Sequence, residues 1–252
     1  MKRVARIVLL LCVALALAGC GRKISYRYKL TISLNTPDGV KTASVVNEIT
    51  MVQTIIKSEG TSDKLDGEAL YLDLGPGRRP LIALINGNCA QTFCSSDIEK
   101  IRGNSNYWLT PDPGNMMIHL YRDPFFTSRD TMDDYFREYA TFAKGRPPLV
   151  LRPRDLPLLV TFADINDPKS VMLVKEHDLA ATLGPGVSWR SITLQPTHEP
   201  LTRSLETRLP WLKTLKGGLD GSTDGRWGPS MPKYSLANSL SAYDFETLGR
   251  LK

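Results

Sequence analysis

Two apolar patterns divide this chain. Tyr26 to Leu34 (YRYKLTISL) alternates large and polar residues, the period-two signature of a half-buried strand. Asn35 to Thr42 (NTPDGVKT) places Pro37 and Asp38 before Gly39, which suits a tight turn, and Thr42 to Ile56 is rich in Val, Ile and Thr. This predicts an antiparallel hairpin. Glu68 to Leu74, the turn Gly75 to Pro80 and the apolar run Leu81 to Ile85 predict a second one. These four strands are the expected sheet core. Asp130 to Lys144 switches to helical spacing, with Met132, Tyr135, Phe136, Tyr139 and Phe142 on one stripe and Gly145 as the stop. Such an aromatic stripe is a face for packing on a sheet.

Pro147, Pro148, Pro153 and Pro157 then form a connection, ahead of an apolar strand from Leu156 to Asp164. Asp178 to Leu183 predicts a short helix, Gly184 to Gly186 a turn, and Val187 to Pro196 a strand. Leu201 to Leu215 reads as a helix that Pro210 must end near Leu209, leaving Trp211 and Leu212 as a docking segment. Beyond Gly217 the composition turns to Gly, Ser and Pro, as in a tail that wraps the body or stays partly mobile. Strands that cluster early, with helices inserted late, predict an α+β fold, mostly antiparallel, in a single domain.

The N-terminus follows a third pattern. Lys2, Arg3 and Arg6 precede an apolar segment, Ile7 to Leu17, that closes on Leu17-Ala18-Gly19-Cys20. The segment is short for a membrane span, which takes roughly 20 apolar residues, and has the order of a secretory signal. The closing motif resembles the lipobox of bacterial lipoproteins. That resemblance implies cleavage before Cys20, a diacylglyceryl group on its thiol and acylation of the new amine. Each buried CH₂ contributes about 0.8 kcal/mol, so two or three chains hold stably where one holds marginally. With Gly rather than Asp at position 21, the resemblance implies an outer-membrane product facing the periplasm if the source is Gram-negative. The expected organisation is a signal over residues 1–19, a lipidated tether over 20–25, a globular domain over 26–216 and a tail over 217–252. Arg22, Lys23, Arg27 and Lys29 are placed to meet anionic headgroups, or to flank an edge strand in water.

Charge and cysteines narrow the classes. The formal charge is +6, and removing the three positive residues of the signal leaves +3, too weak an excess to argue for nucleic acid. Of four cysteines, Cys12 departs with the signal and Cys20 carries lipid. Cys89 and Cys94 remain in an oxidising compartment, where a disulfide closing a small loop is expected. Zinc would require two further ligands, and the spacing is not that of a thioredoxin-like pair.

Candidate chemistry is thin. The three histidines, His119, His177 and His198, show no metal spacing. His119 falls in an expected strand. His177, between Glu176 and Asp178, is the best-placed acid/base group, and a hydrolase or small-ligand receptor would need it to converge with Asp164 or Asp167. No G-x-S-x-G elbow and no S-x-x-K is present. Asp220 to Gly225 mimics the first half of a calcium loop, but its twelfth position is Met231 where a bidentate Glu is required. No metal or cofactor is expected.

Tyr26 to Ile49, Gly67 to Ile85 and Asp178 to Leu212 resemble segments of a proteobacterial protein family without an assigned activity. The resemblance spans most of the mature chain and implies one architecture, with nothing about chemistry. The expectation that follows is a non-enzymatic envelope lipoprotein, bound to the membrane through Cys20, that binds or scaffolds another envelope component.

Overall fold

The expected first hairpin is present: β1 (Arg22–Thr36) and β2 (Gly39–Gln53) pair antiparallel from Arg22↔Gln53 to Thr36↔Gly39, and the last expected positions, 54–56, lie outside the described residues. The computed structural model describes residues 22–53, 61–85, 137, 140–141, 144–153, 156–222 and 236–247. Pro37 fixes one turn position, the Asp38 amide donates to Thr36 Oγ1, and Gly39 takes φ +104°, a backbone region L side chains avoid. β1 begins inside the stretch read as a tether.

Among the described residues the strands form two sheets. The first has the order β3-β2-β1-β9-β6, where β3 is Thr61–Asp66, β9 is Ser188–Thr197 and β6 is Leu149–Val150. The second has the order β4-β5-β7-β8, made of Leu70–Leu72, Leu81–Ala83, Leu159–Phe162 and Val171–Leu173. All described pairings are antiparallel. The mostly antiparallel fold with minor helices therefore holds. The single sheet core does not: the two predicted hairpins lie in different sheets, which pack face to face because each has an apolar face to bury.

The inward row of β1, Tyr26, Tyr28, Leu30, Ile32 and Leu34, meets Leu70, Leu72, Leu81 and Leu159 of the second sheet in one apolar cluster. The opposite face of the second sheet, through Ile82, Val160 and Phe162, joins a second cluster with the C-terminal helical elements. β5 and β7 are buried on both faces. Their continuous apolar sequences follow from that double burial.

Short helices complete this layer. α1 (Leu179–Leu183) is capped by the Asp178 carboxylate, which accepts from the Ala181 amide at 3.1 Å. α2 (Leu205–Arg208) ends at Leu209, before Pro210, and a 3-10 turn then buries Leu212 completely. Trp211 packs edge-on against Phe162 and Phe245, with centroids 5.6 Å away in both cases, and its indole donates to the Ile165 carbonyl. α3 (Leu236–Ser239) and the turn over Ala242–Asp244 lie beyond the boundary set at Gly217. They contribute Ala237, Leu240, Ala242 and Phe245 to the second core. Of the expected helix from Asp130 to Lys144, Arg137, Ala140 and Thr141 are described and helical, and Lys144 lies in a turn, its amide donating to the Thr141 carbonyl; the other positions lie outside the described residues.

A buried polar network ties the layers together. Asn47 points inward from β2, where its side chain pairs with the Glu68 backbone through Oδ1 (3.0 Å) and Nδ2 (3.1 Å). Gly67 is obligatory beside it, since a Cβ there would come within 2.2 Å of the Asn47 amide. The Glu68 side chain, 2 % exposed, accepts from the Ser204 amide at 2.9 and 3.0 Å, the Ser204 hydroxyl at 3.1 Å and the Leu205 amide at 3.1 Å. A carboxylate from far earlier in the chain thus caps α2. The C-terminal segment closes the same knot: Ala69 donates to the Phe245 carbonyl and Thr247 to the Gly67 carbonyl.

Two predictions follow from these contacts. Glu68→Gln keeps the shape but places an NH₂ among backbone donors, and should lower the unfolding free energy by about 3 kcal/mol in urea titration. Lys64→Gln, at an exposed pair 3.8 Å from Asp66, should change it by less than about 0.5 kcal/mol. Burial pushes the Asp244 carboxyl up to about 6 despite two hydrogen bonds from Ser241 that favour its charged form. Because the folded state holds this proton more tightly than the unfolded chain, the contribution to stability is present below pH ~4 and is lost as pH rises to about 6. The stability difference between the protein and Asp244→Asn should fall by up to about 3 kcal/mol over that window, then level off.

Candidate functional site

A strand mismatch opens a cleft among the described residues. β9 pairs with β1 only as far as Arg27↔Thr197, while β1 continues to Arg22. The chain leaves the sheet at His198, and the β1 residues Ser25 and Tyr26 line, with Gly145, a cleft of about 220 Å³. Register sets its polar floor. Glu48, Arg27 and Thr197 stand side by side on neighbouring strands, on the face opposite the core, and Ser25 with Thr50 forms the next row.

Three contacts fix the geometry. Arg27 Nε donates to Glu48 Oε2 at 2.9 Å, and Nη1 donates to the Glu199 carbonyl at 3.2 Å. Lys29 Nζ donates to both Glu199 carboxylate oxygens at 2.9 Å, and the Glu199 amide donates to Thr197 Oγ1. Ser25 Oγ and Thr50 Oγ1 share a hydrogen bond of 2.7 Å. The Arg27 and Glu48 side chains are 37 % and 26 % exposed, a setting in which an ion pair is worth less than about 1 kcal/mol, so a ligand can compete for either partner at small cost.

Two of the four cations expected to cluster at the strand start are paired: Arg27 with Glu48 and Lys29 with Glu199. Lys23 and Lys64 are exposed on the same stretch of sheet. Chemically the cleft offers a guanidinium, a carboxylate, an imidazole and hydroxyls. Its serine shares its hydrogen bond with a threonine.

The sequence-derived acid/base group sits elsewhere. His177 is exposed in the turn before α1, and the Glu176 carbonyl accepts from the Trp189 indole at 2.7 Å. The carboxylates that would have to converge on it have other work: Asp178 caps α1, Asp164 accepts from the Asn166 amide, and Asp167 from the Lys169 amide. His177 and these aspartates take no part in the cleft lining. In the calcium-like segment, burial would raise the Asp220 carboxyl, but hydrogen bonds from Ser222 and Asn238 outweigh it and hold the group below its ordinary value. It ties its turn to α3, while Asp224, Gly225 and Met231 lie outside the described residues. So do Cys20, His119 and the expected pair Cys89 and Cys94.

Among the described residues no three His, Cys, Asp or Glu side chains are grouped to hold a metal ion, and no helix is long and apolar enough to cross a membrane. Sequence reasoning missed Arg27 and Glu48 as partners. The signal was only an alternation of polar positions, and which strand faces which is decided by pairing. Comparison with protein families, with curated proteins and with solved structures found no match for this chain.

Proposed function

We propose that this protein is a lipid-anchored cell-envelope protein with a non-enzymatic binding body. In this reading Cys20 carries the anchor, and the antiparallel body binds or scaffolds an envelope component at the membrane surface. If the source is Gram-negative, the surface is that of the outer membrane facing the periplasm. The observation that carries the proposal is the start of β1 at Arg22, two residues past Cys20. A strand that begins there leaves almost no slack, so the body stands on the bilayer. Ser25 to Arg27 then lie five to seven residues from the lipid, within about 16–23 Å along an extended chain. A polar cleft built around a weak, partly exposed ion pair, whose serine hydroxyl is held by Thr50, supports the binding reading.

Mass spectrometry of the native N-terminal peptide tests the anchor. The expected peptide begins at Cys20 and carries the mass of a diacylglyceryl group plus an acyl chain. A peptide that retains residues before position 20, or an unmodified thiol there, would remove the basis of the proposal. Cys20→Ser should release the protein from vesicles into the soluble fraction.

A further inference from the structure

The cleft has valences left over, and their signs differ from one side to the other. Arg27 has five N–H donors, of which Nε and Nη1 are engaged; Nη2 makes no hydrogen bond among the described residues. Among the described residues Glu48 accepts a side-chain hydrogen bond through Oε2, which leaves Oε1. The exposed His198 imidazole also makes no hydrogen bond among the described residues, and it shares the cleft wall with Thr197 on the Arg27 side. Glu48 stands on the opposite side, on β2. One edge of the cleft therefore presents two N–H-bearing groups that suit an oxyanion, and the other presents a carboxylate oxygen that suits an ammonium. The Ser25 hydroxyl, hydrogen-bonded to Thr50, belongs to the same lining.

We propose that this cleft takes a zwitterion carrying an oxyanion and a primary ammonium a few ångströms apart, specifically the phosphoethanolamine headgroup of a phospholipid in the leaflet that holds Cys20. The phosphate accepts from Arg27 and His198, and the ammonium donates to Glu48. The source is assigned from the place of the cleft, on the first residues of a strand that starts beside the anchor. This assignment rests on the proposed lipidation. The charge argument does not. A purely anionic headgroup would leave Glu48 facing negative charge, and a choline headgroup has no N–H to give it.

The full-length protein, held in an uncharged maltoside detergent, is titrated with O-phosphoethanolamine, glycerol 1-phosphate and phosphocholine by calorimetry. O-phosphoethanolamine should bind at least tenfold more tightly than the other two. Glu48→Gln should erase that preference and spare binding of glycerol 1-phosphate. Arg27→Gln should weaken all three by tenfold or more. Melting temperatures verify folding, and the exposed-loop variant His198→Ala, expected to weaken every phosphate ligand several-fold, serves if a strand variant unfolds. In nanodiscs of phosphatidylethanolamine, amide exchange at Ser25 to Arg27 and at His198 should slow relative to phosphatidylglycerol nanodiscs, and Glu48→Gln should remove the difference.

Absence of binding by the folded protein, or an ethanolamine preference that survives Glu48→Gln, overturns the assignment of the cleft. Binding of the soluble probe without protection in nanodiscs overturns the lipid source and leaves a free zwitterion as the ligand. An unlipidated Cys20 would show in the N-terminal peptide while the soluble titration still reads out. Failure of the anchor is thereby separable from failure of the cleft.

Discussion

The carboxylate of Glu68, buried where both sheets and the helical layer converge, is the constraint on which the rest of this architecture depends. A charge removed from water is tolerable only when its lone pairs are filled, and four contacts from Ser204 and Leu205 fill them. Filling them pins the start of α2. Asn47 secures the backbone of the same residue from the first sheet, and the segment ending at Thr247 seals it from the C-terminal side. Loss of any one partner would strand the others in an apolar interior.

That knot reaches the cleft through a short stitched segment. From Ser204 the chain runs back to Thr202, whose hydroxyl and amide pair with the Val46 backbone, and to Glu199, which holds Lys29 and, through its carbonyl, Arg27. His198 is thus set at the end of β9 by contacts that begin at a buried carboxylate. The two sites differ in the strength of their electrostatics. Inside, the Glu68 and Asn47 side chains are partnered by backbone groups and fix one arrangement; at the cleft the ion pair is partly exposed and weakly held.

Much of the first layer of structure was legible from local pattern. Strict alternation from Tyr26 to Leu34, the Pro37 and Gly39 turn, Asp178 ahead of a short apolar run, and Pro210 as a helix stop each rest on interactions within a few residues, and each is present where local physics puts it. β3 escaped notice because Thr61 to Asp66 has a single apolar residue, Leu65, and so shows no alternation. It is an edge strand held by its pairing with β2, and polar charged residues are what an edge tolerates. β8 and the two-residue β6 are likewise strands only by virtue of their neighbours.

The sequence by itself determined the hairpins, the short capped helix, the positions of chain reversal and the N-terminal pattern that resembles a lipoprotein signal. All of these arise from side-chain period and backbone preference acting locally. Only the tertiary structure decided that the two hairpins belong to different sheets, that Asn47 and Glu68 meet across a core, that residues beyond Gly217 return to complete it, and that Arg27 stands between Glu48 and Thr197. Those outcomes depend on strand register and on which faces find each other. A period of two tells which residues share a side but never which partner lies opposite.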